Sequence, residues 1–266
     1  MTEVRRDGKG LDRDSACFIY ELSTAYDESE VDSHEGNDGI KWFIMKWFVA
    51  CNLAVAILAS AAVAQEAPTS ASSLRSVRGQ TIVSNELPPA ELTFSKDFRY
   101  VGGQRVNLYG MADAEQHIFV QAGSNGVVKR FCWVQFEHRL PGDKHTYDYR
   151  LNGTTDIGGL SFVYDVKSWP DLAANEADPP GSDGAAISRL LGEHNLVFPK
   201  RAARVRMFHL PTADRRTELM IIYGEALAEE TNVPVRAGGV VLDEEAPAAA
   251  HMLLQHARRD LTIRRK

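Results

Sequence analysis

The dipeptide Asn125-Gly126 lies between two apolar runs, 114–121 and 127–138. Both residues accept the positive φ of a two-residue type I′ turn, so the pattern predicts a β-hairpin. A hairpin sets its register, and the register decides which side chains share a face. With Ser124 paired to Val127, Asp113 falls opposite His138, Glu115 opposite Phe136 and His117 opposite Val134. Asp113, Glu115 and His117 alternate along one strand and therefore project from the same side.

That row is the best candidate for chemistry in the chain. Two carboxylates and an imidazole, with His138 across the hairpin, can bind a metal or exchange protons. The ordinary role of such a row is the polar face of a half-exposed strand. Glu137-His138 and Glu193-His194 are adjacent pairs; neighbours on a strand point opposite ways, and His194 suits a helix end by dipole alone. There is no G-x-S-x-G elbow, Walker loop, GxGxxG or H-E-x-x-H in the sequence. No motif identifies a metal or cofactor.

Further strands follow the hairpin. Residues 98–109 are apolar and aromatic in places, broken by Gly102-Gly103 at a turn or bulge. Residues 145–151 alternate, with Tyr147 and Tyr149 on one side, and 160–166 repeat the pattern through Phe162 and Tyr164. A second hairpin is expected from 201–210 and 217–223. Ser182 or Asp183 caps a short helix to about Leu191. The chain is expected to end in a long helix from Asp243, with Ala246, Ala250, Leu253, Leu254, Ala257 and Leu261 as its apolar stripe. The expected fold class is α+β: a largely antiparallel sheet, one short helix, and a long C-terminal helix packed on it.

Residues 45–64 limit how much of the chain takes part. Met45-Lys46 is a short positive end, an apolar core follows, and Ala62-Val63-Ala64 is a small-residue exit. This is the pattern of a secretory signal peptide, which leaves Gln65 as the mature N-terminus and a periplasmic or secreted protein. The alternative is a membrane anchor through 42–64, although the Lys/Arg bias that would orient it is weak. Membrane contact is then expected only through an uncleaved segment. Residues 1–44 are acidic and polar, and read as a disordered or untranslated extension ahead of a start at Met45. Residues 65–90, rich in Ala, Ser and Pro, read as a flexible lead, with one domain over 91–266.

The whole chain has a net charge of −6, but residues 65–266 carry 24 Lys/Arg against 25 Asp/Glu, a net of −1. A nearly neutral domain lacks the electrostatic footprint of a nucleic-acid partner. Cys17 and Cys51 fall outside it, so Cys132 has no intramolecular partner and reads as a small core residue.

The aromatic residues Tyr147, Tyr149, Tyr164 and Trp133 are candidate lining for a small or lipidic ligand. Arg201, Arg204, Arg206, Arg215 and Arg216 on the second hairpin are placed to grip an anion or to form a solvated edge. The sequence therefore points to an exported domain that binds a small molecule, a lipid or a partner without catalysis. The alternative is a metal-assisted or acid–base enzyme using Asp113, Glu115, His117 and His138.

Overall fold

The computed structural model describes residues 74–151, 153–170, 179–236 and 239–266. The extension 1–44, the signal segment 45–64 and its alternative as an anchor over 42–64 lie outside the described residues. Among the described residues no helix is long and apolar enough to cross a membrane.

The predicted hairpin stands inside the larger of two antiparallel sheets. Its strands are β5 (Ala112–Ala122) and β6 (Val128–Arg139). The register places Asp113 opposite His138, Glu115 opposite Phe136 and His117 opposite Val134. The turn is not the type I′ the dipeptide suggests. Only Gly126 has positive φ, at 79°, and Gly126 N–H donates to Gly123 O at 3.1 Å. That longer turn shifts the pairing by one residue, and a bulge shifts it back, since Ala122 faces Val128 while Gln121 faces Arg130. The two irregularities cancel, which is why the simple register survives.

Around the hairpin lie β4 (Arg99–Leu108), β8 (Leu160–Trp169), β9 (Ala202–His209), β10 (Thr217–Ala226) and the short β11 (Val240–Val241). The strand order is β11-β8-β9-β10-β6-β5-β4, and β7 (Gly153–Ile157) pairs with β8. A second sheet holds β1 (Ser76–Arg78), β2 (Thr81–Ser84), β3 (Ala90–Phe94) and β12 (Leu261–Arg265), in the order β1-β2-β3-β12. Helix α1 (Asp183–Glu193) precedes β9; α2 (Leu242–Glu245) and α3 (Pro247–Asp260) precede β12. Ser182 caps α1 by accepting from Ala185 N–H.

The large sheet is buried on both faces. One face meets the small sheet and α3 in a core containing Ile82, Leu92, Phe119, Phe162, Ile221 and Leu254. The other meets α1 through Ile187, Leu190 and Leu191, with Ile118, Phe131, Trp133 and Ile222 beneath. Gly102 lets α1 approach, because a Cβ there would lie 3.3 Å from Leu190 Cδ1.

This corrects the α+β expectation of a long C-terminal helix packed on one sheet. The described chain is mostly β, with two sheets and three small helices. The single helix expected from Asp243 is broken at Ala246-Pro247, because proline lacks the N–H that an interior helical position needs. Asp243 is not an N-cap; its Oδ2 accepts from Val166 N–H at 2.9 Å. Helix α3 stops at Asp260, and Leu261 is already extended, at φ −125° and ψ 126°. Leu261 and Ile263 then alternate inward as β12 pairs with β3. The Leu261 that completes an apparent helical stripe is thus the first core residue of a strand.

Two other segments differ from the sequence pattern. Within the Ala/Ser/Pro-rich stretch taken as a lead, β1 and β2 form, and Ile82 is fully buried. Residues 145–151 carry a period-two alternation but no strand. Tyr147 and Tyr149 instead hold an irregular strap against the sheet.

Candidate functional site

The Asp113 row opens onto a cleft of 490 Å³ lined by Arg75, Arg105, Asp113, Glu115, Phe136, His138 and Thr217, among others. Strand alternation brings Asp113 and Glu115 to this face, the hairpin register brings His138, and β4 places Arg105 directly opposite Glu115.

Within the cleft the row divides. Glu115, 2 % exposed, accepts from the backbone N–H of Leu74 at 3.0 Å and of Arg75 at 3.1 Å. It also accepts from Arg75 Nη1 at 3.2 Å and pairs with His117 Nε2 at 2.9 Å. Four donors occupy its two oxygens, and the Arg75 guanidinium lies over Phe136 at 4.3 Å. Glu115 therefore anchors the incoming chain at Leu74-Arg75.

His117, 1 % exposed, is sealed behind it, with Nδ1 3.0 Å from the Tyr100 hydroxyl. The network assigns Nε2–H as donor to Glu115 and Nδ1 as acceptor from Tyr100. Hydroxyl, imidazole and carboxylate in line have the geometry of a nucleophile relay. Neither Tyr100 nor His117 is among the residues that line the cleft. Burial and the nearby Glu115 charge push the Tyr100 pKa up to about 12. The chain Tyr100–His117–Glu115 locks β4, β5 and the N-terminal segment together.

Gly103 makes room for that lock. A Cβ there would sit 2.6 Å from His117 Nδ1 and 2.7 Å from Tyr100 Oη. Gly103→Ala is expected to cost about 1–3 kcal/mol by overpacking. The check is urea unfolding together with the His117 imidazole NMR signals; unchanged shifts would dissociate Gly103 from the lock.

Asp113 and His138 face each other, yet each bonds elsewhere. Asn107 Nδ2 donates to Asp113 at 3.3 Å, and His138 Nδ1 lies 3.0 Å from Thr217 Oγ1. Among the described residues no three His, Cys, Asp or Glu side chains are grouped to hold a metal ion. The four residues thus separate into a buried anchor, Glu115 and His117, and two cleft-facing groups, Asp113 and His138. Arg105, exposed, makes no ion pair or side-chain hydrogen bond among the described residues.

The aromatic set does not converge. Tyr147 and Tyr149 stack at 6.5 Å, and Tyr149 stacks on Phe208 at 4.0 Å, on the sheet face that Trp133 shares. Tyr164 projects from the opposite face and covers Gly153, where a Cβ would meet its ring at 2.6 Å. Arg204 and Arg206 are buried on a central strand, not at a hairpin edge, and Arg206 pairs bidentately with Asp165. Cys132 is buried between Phe119 and Tyr223, and burial pushes its thiol pKa up.

The sequence reading missed Tyr100, Arg75, Arg105 and Thr217. Tyr100 was recoverable only with the bulge between Tyr100 and Gly102, which shifts the β4 register. Thr217 follows from pairing the second hairpin to the first, a long-range contact that local pattern does not carry. Compared with known proteins, the chain matches no protein-family model, no curated protein and no solved structure.

Proposed function

We propose that the protein, exported through the segment 45–64, binds a small water-soluble ligand in the Asp113 cleft without transforming it. The observation that carries this reading is the division of the row. Glu115 and His117 are held in structural bonds, whereas Arg105, Asp113 and His138 line the cleft. The cleft volume of 490 Å³ suits a small organic molecule. The charged lining of Arg75, Arg105, Asp113 and His138 favours a ligand with ionic groups over a lipid.

The purified protein is tested by thermal shift against amino acids, dicarboxylates and monosaccharides at millimolar concentration. Stabilisation by at least one class, lost in Arg105→Ala/His138→Ala with the near-UV circular dichroism unchanged, is the expected result. No shift with any class removes the reading. Stoichiometric metal that disappears in His138→Ala, with the near-UV circular dichroism unchanged, would replace it with the metal-assisted one.

A further inference from the structure

Glu137 of β6, which also borders the cleft, and Glu218 of β10 stand directly opposite each other, with side chains that by strand alternation project from the sheet face opposite Asp113 and His138. They are 8 % and 2 % exposed. Opposed residues on neighbouring strands have Cβ atoms about 5 Å apart, close enough for like charges to repel strongly in a buried setting. Each carboxyl is capped by a tyrosine from one segment, the strap 140–151 that crosses this face. Tyr147 Oη donates to Glu137 Oε1 at 2.6 Å, and Tyr149 Oη donates to Glu218 Oε2. Glu137 also accepts from Gln135 Nε2 at 2.7 Å, so both of its oxygens serve as acceptors. Glu218 has the single tyrosine donor among the described side chains.

The surrounding charges do not neutralise the pair. Arg139 of β6 is the cation whose field reaches both carboxyls, but it is bound to Asp143 of the strap at 3.1 Å. Asp183, at the start of α1, adds a third negative group, offset by Arg204 and Arg206 of β9. Arg206 is itself bound to Asp165 of β8. On the outer side of the strap, Asp148 bonds to Arg215, Arg216 Nη1 donates to His145 O, and His145 meets Asp143.

We propose that Glu137 and Glu218 hold one proton between them, and that this proton latches the strap 140–151 to the sheet, so that the strap loosens as the pH rises. Two buried carboxyls that cannot both ionise at low cost behave this way. Burial raises the pKa of both, Glu218 well above the ordinary value, where the Glu137 charge adds to the rise; the bonds from Tyr147 and Tyr149 favour the ionised carboxyls, and burial outweighs them. A carboxyl whose folded pKa is raised contributes its stability fully below the unfolded pKa and loses it as pH climbs through the folded one. The tyrosines stay protonated over that window, because burial and the carboxylates push their pKa values up.

Amide hydrogen exchange, corrected for the intrinsic pH dependence, reads the latch directly. Between about pH 5 and about pH 9 the protection of 140–151 should fall roughly tenfold or more, while that of β9 stays constant. Glu218→Gln, which cannot ionise, should keep the strap protected across the range. Glu137→Gln serves the same purpose if the first variant fails to fold. Constant protection of 140–151 in the unmodified protein overturns the proposal. So does an undiminished pH-dependent fall in the variant.

Discussion

Glu115→Ala is expected to destabilise the protein by about 3–5 kcal/mol, because removing one partner of a buried ion pair leaves the other's charge uncompensated. The Arg75 guanidinium is left over Phe136 without its carboxylate, and His117 Nε2 loses its acceptor. Two backbone N–H groups at Leu74 and Arg75 lose theirs as well. Urea unfolding measures the loss. Glu115→Gln keeps the shape and one good acceptor oxygen, so it should fall between alanine and the unmodified protein. A loss under about 1 kcal/mol for alanine would place Glu115 among ordinary surface sites and return it to the list of catalytic candidates.

Removing 261–266 is expected to have an effect of similar size. Leu261 and Ile263 are nearly fully buried, and each is worth about 1.5–3 kcal/mol of apolar burial. Their strand also covers one edge of β3, whose Leu92 and Phe94 belong to the main core. Since a folded domain keeps only about 5–15 kcal/mol, the shortened chain should unfold tens of degrees earlier or not fold at all. Removing 264–266 alone should cost clearly less, because Leu261 and Ile263 stay in place and what is lost is the exposed end of the ladder and the solvent-screened pair of Arg264 with Glu91. Equal melting temperatures for the full and 261–266-deleted chains would contradict the strand assignment.

The C-terminus shows why that element was not legible. Ala250, Leu253, Leu254 and Ala257 have helical spacing, and Leu261 extends it by one more turn. Spacing alone does not register that Leu261 and Ile263 also satisfy period two. The choice between the periods belongs to β3, which offers unpaired backbone groups at that point. The strap is the reverse case. Its alternation satisfies the strand pattern, but the residues are held by side-chain bonds from Tyr147 and Tyr149 rather than by a backbone ladder.

The candidate site divides along the same line. Local pattern placed Asp113, Glu115 and His117 on one face and His138 across from them, since alternation and a turn need only nearby residues. It did not distinguish a free carboxylate from a saturated one. That difference is made by Leu74 and Arg75, about 40 residues upstream, reaching Glu115. The same holds for Glu137 and Glu218, which are unremarkable in sequence and become a like-charged pair only when β10 docks against β6.

What the sequence alone determined is therefore the hairpin, the strand-rich character of the chain and the shared face of the Asp113 row. Those depend on backbone alternation, which acts over a few residues, whereas the register agreed because the longer turn and the bulge offset each other. The tertiary structure decided the second sheet, the end of α3, and which polar groups are spent on the fold. Those depend on contacts between distant segments, where burial fixes the cost of a charge and the availability of a partner settles whether it is met.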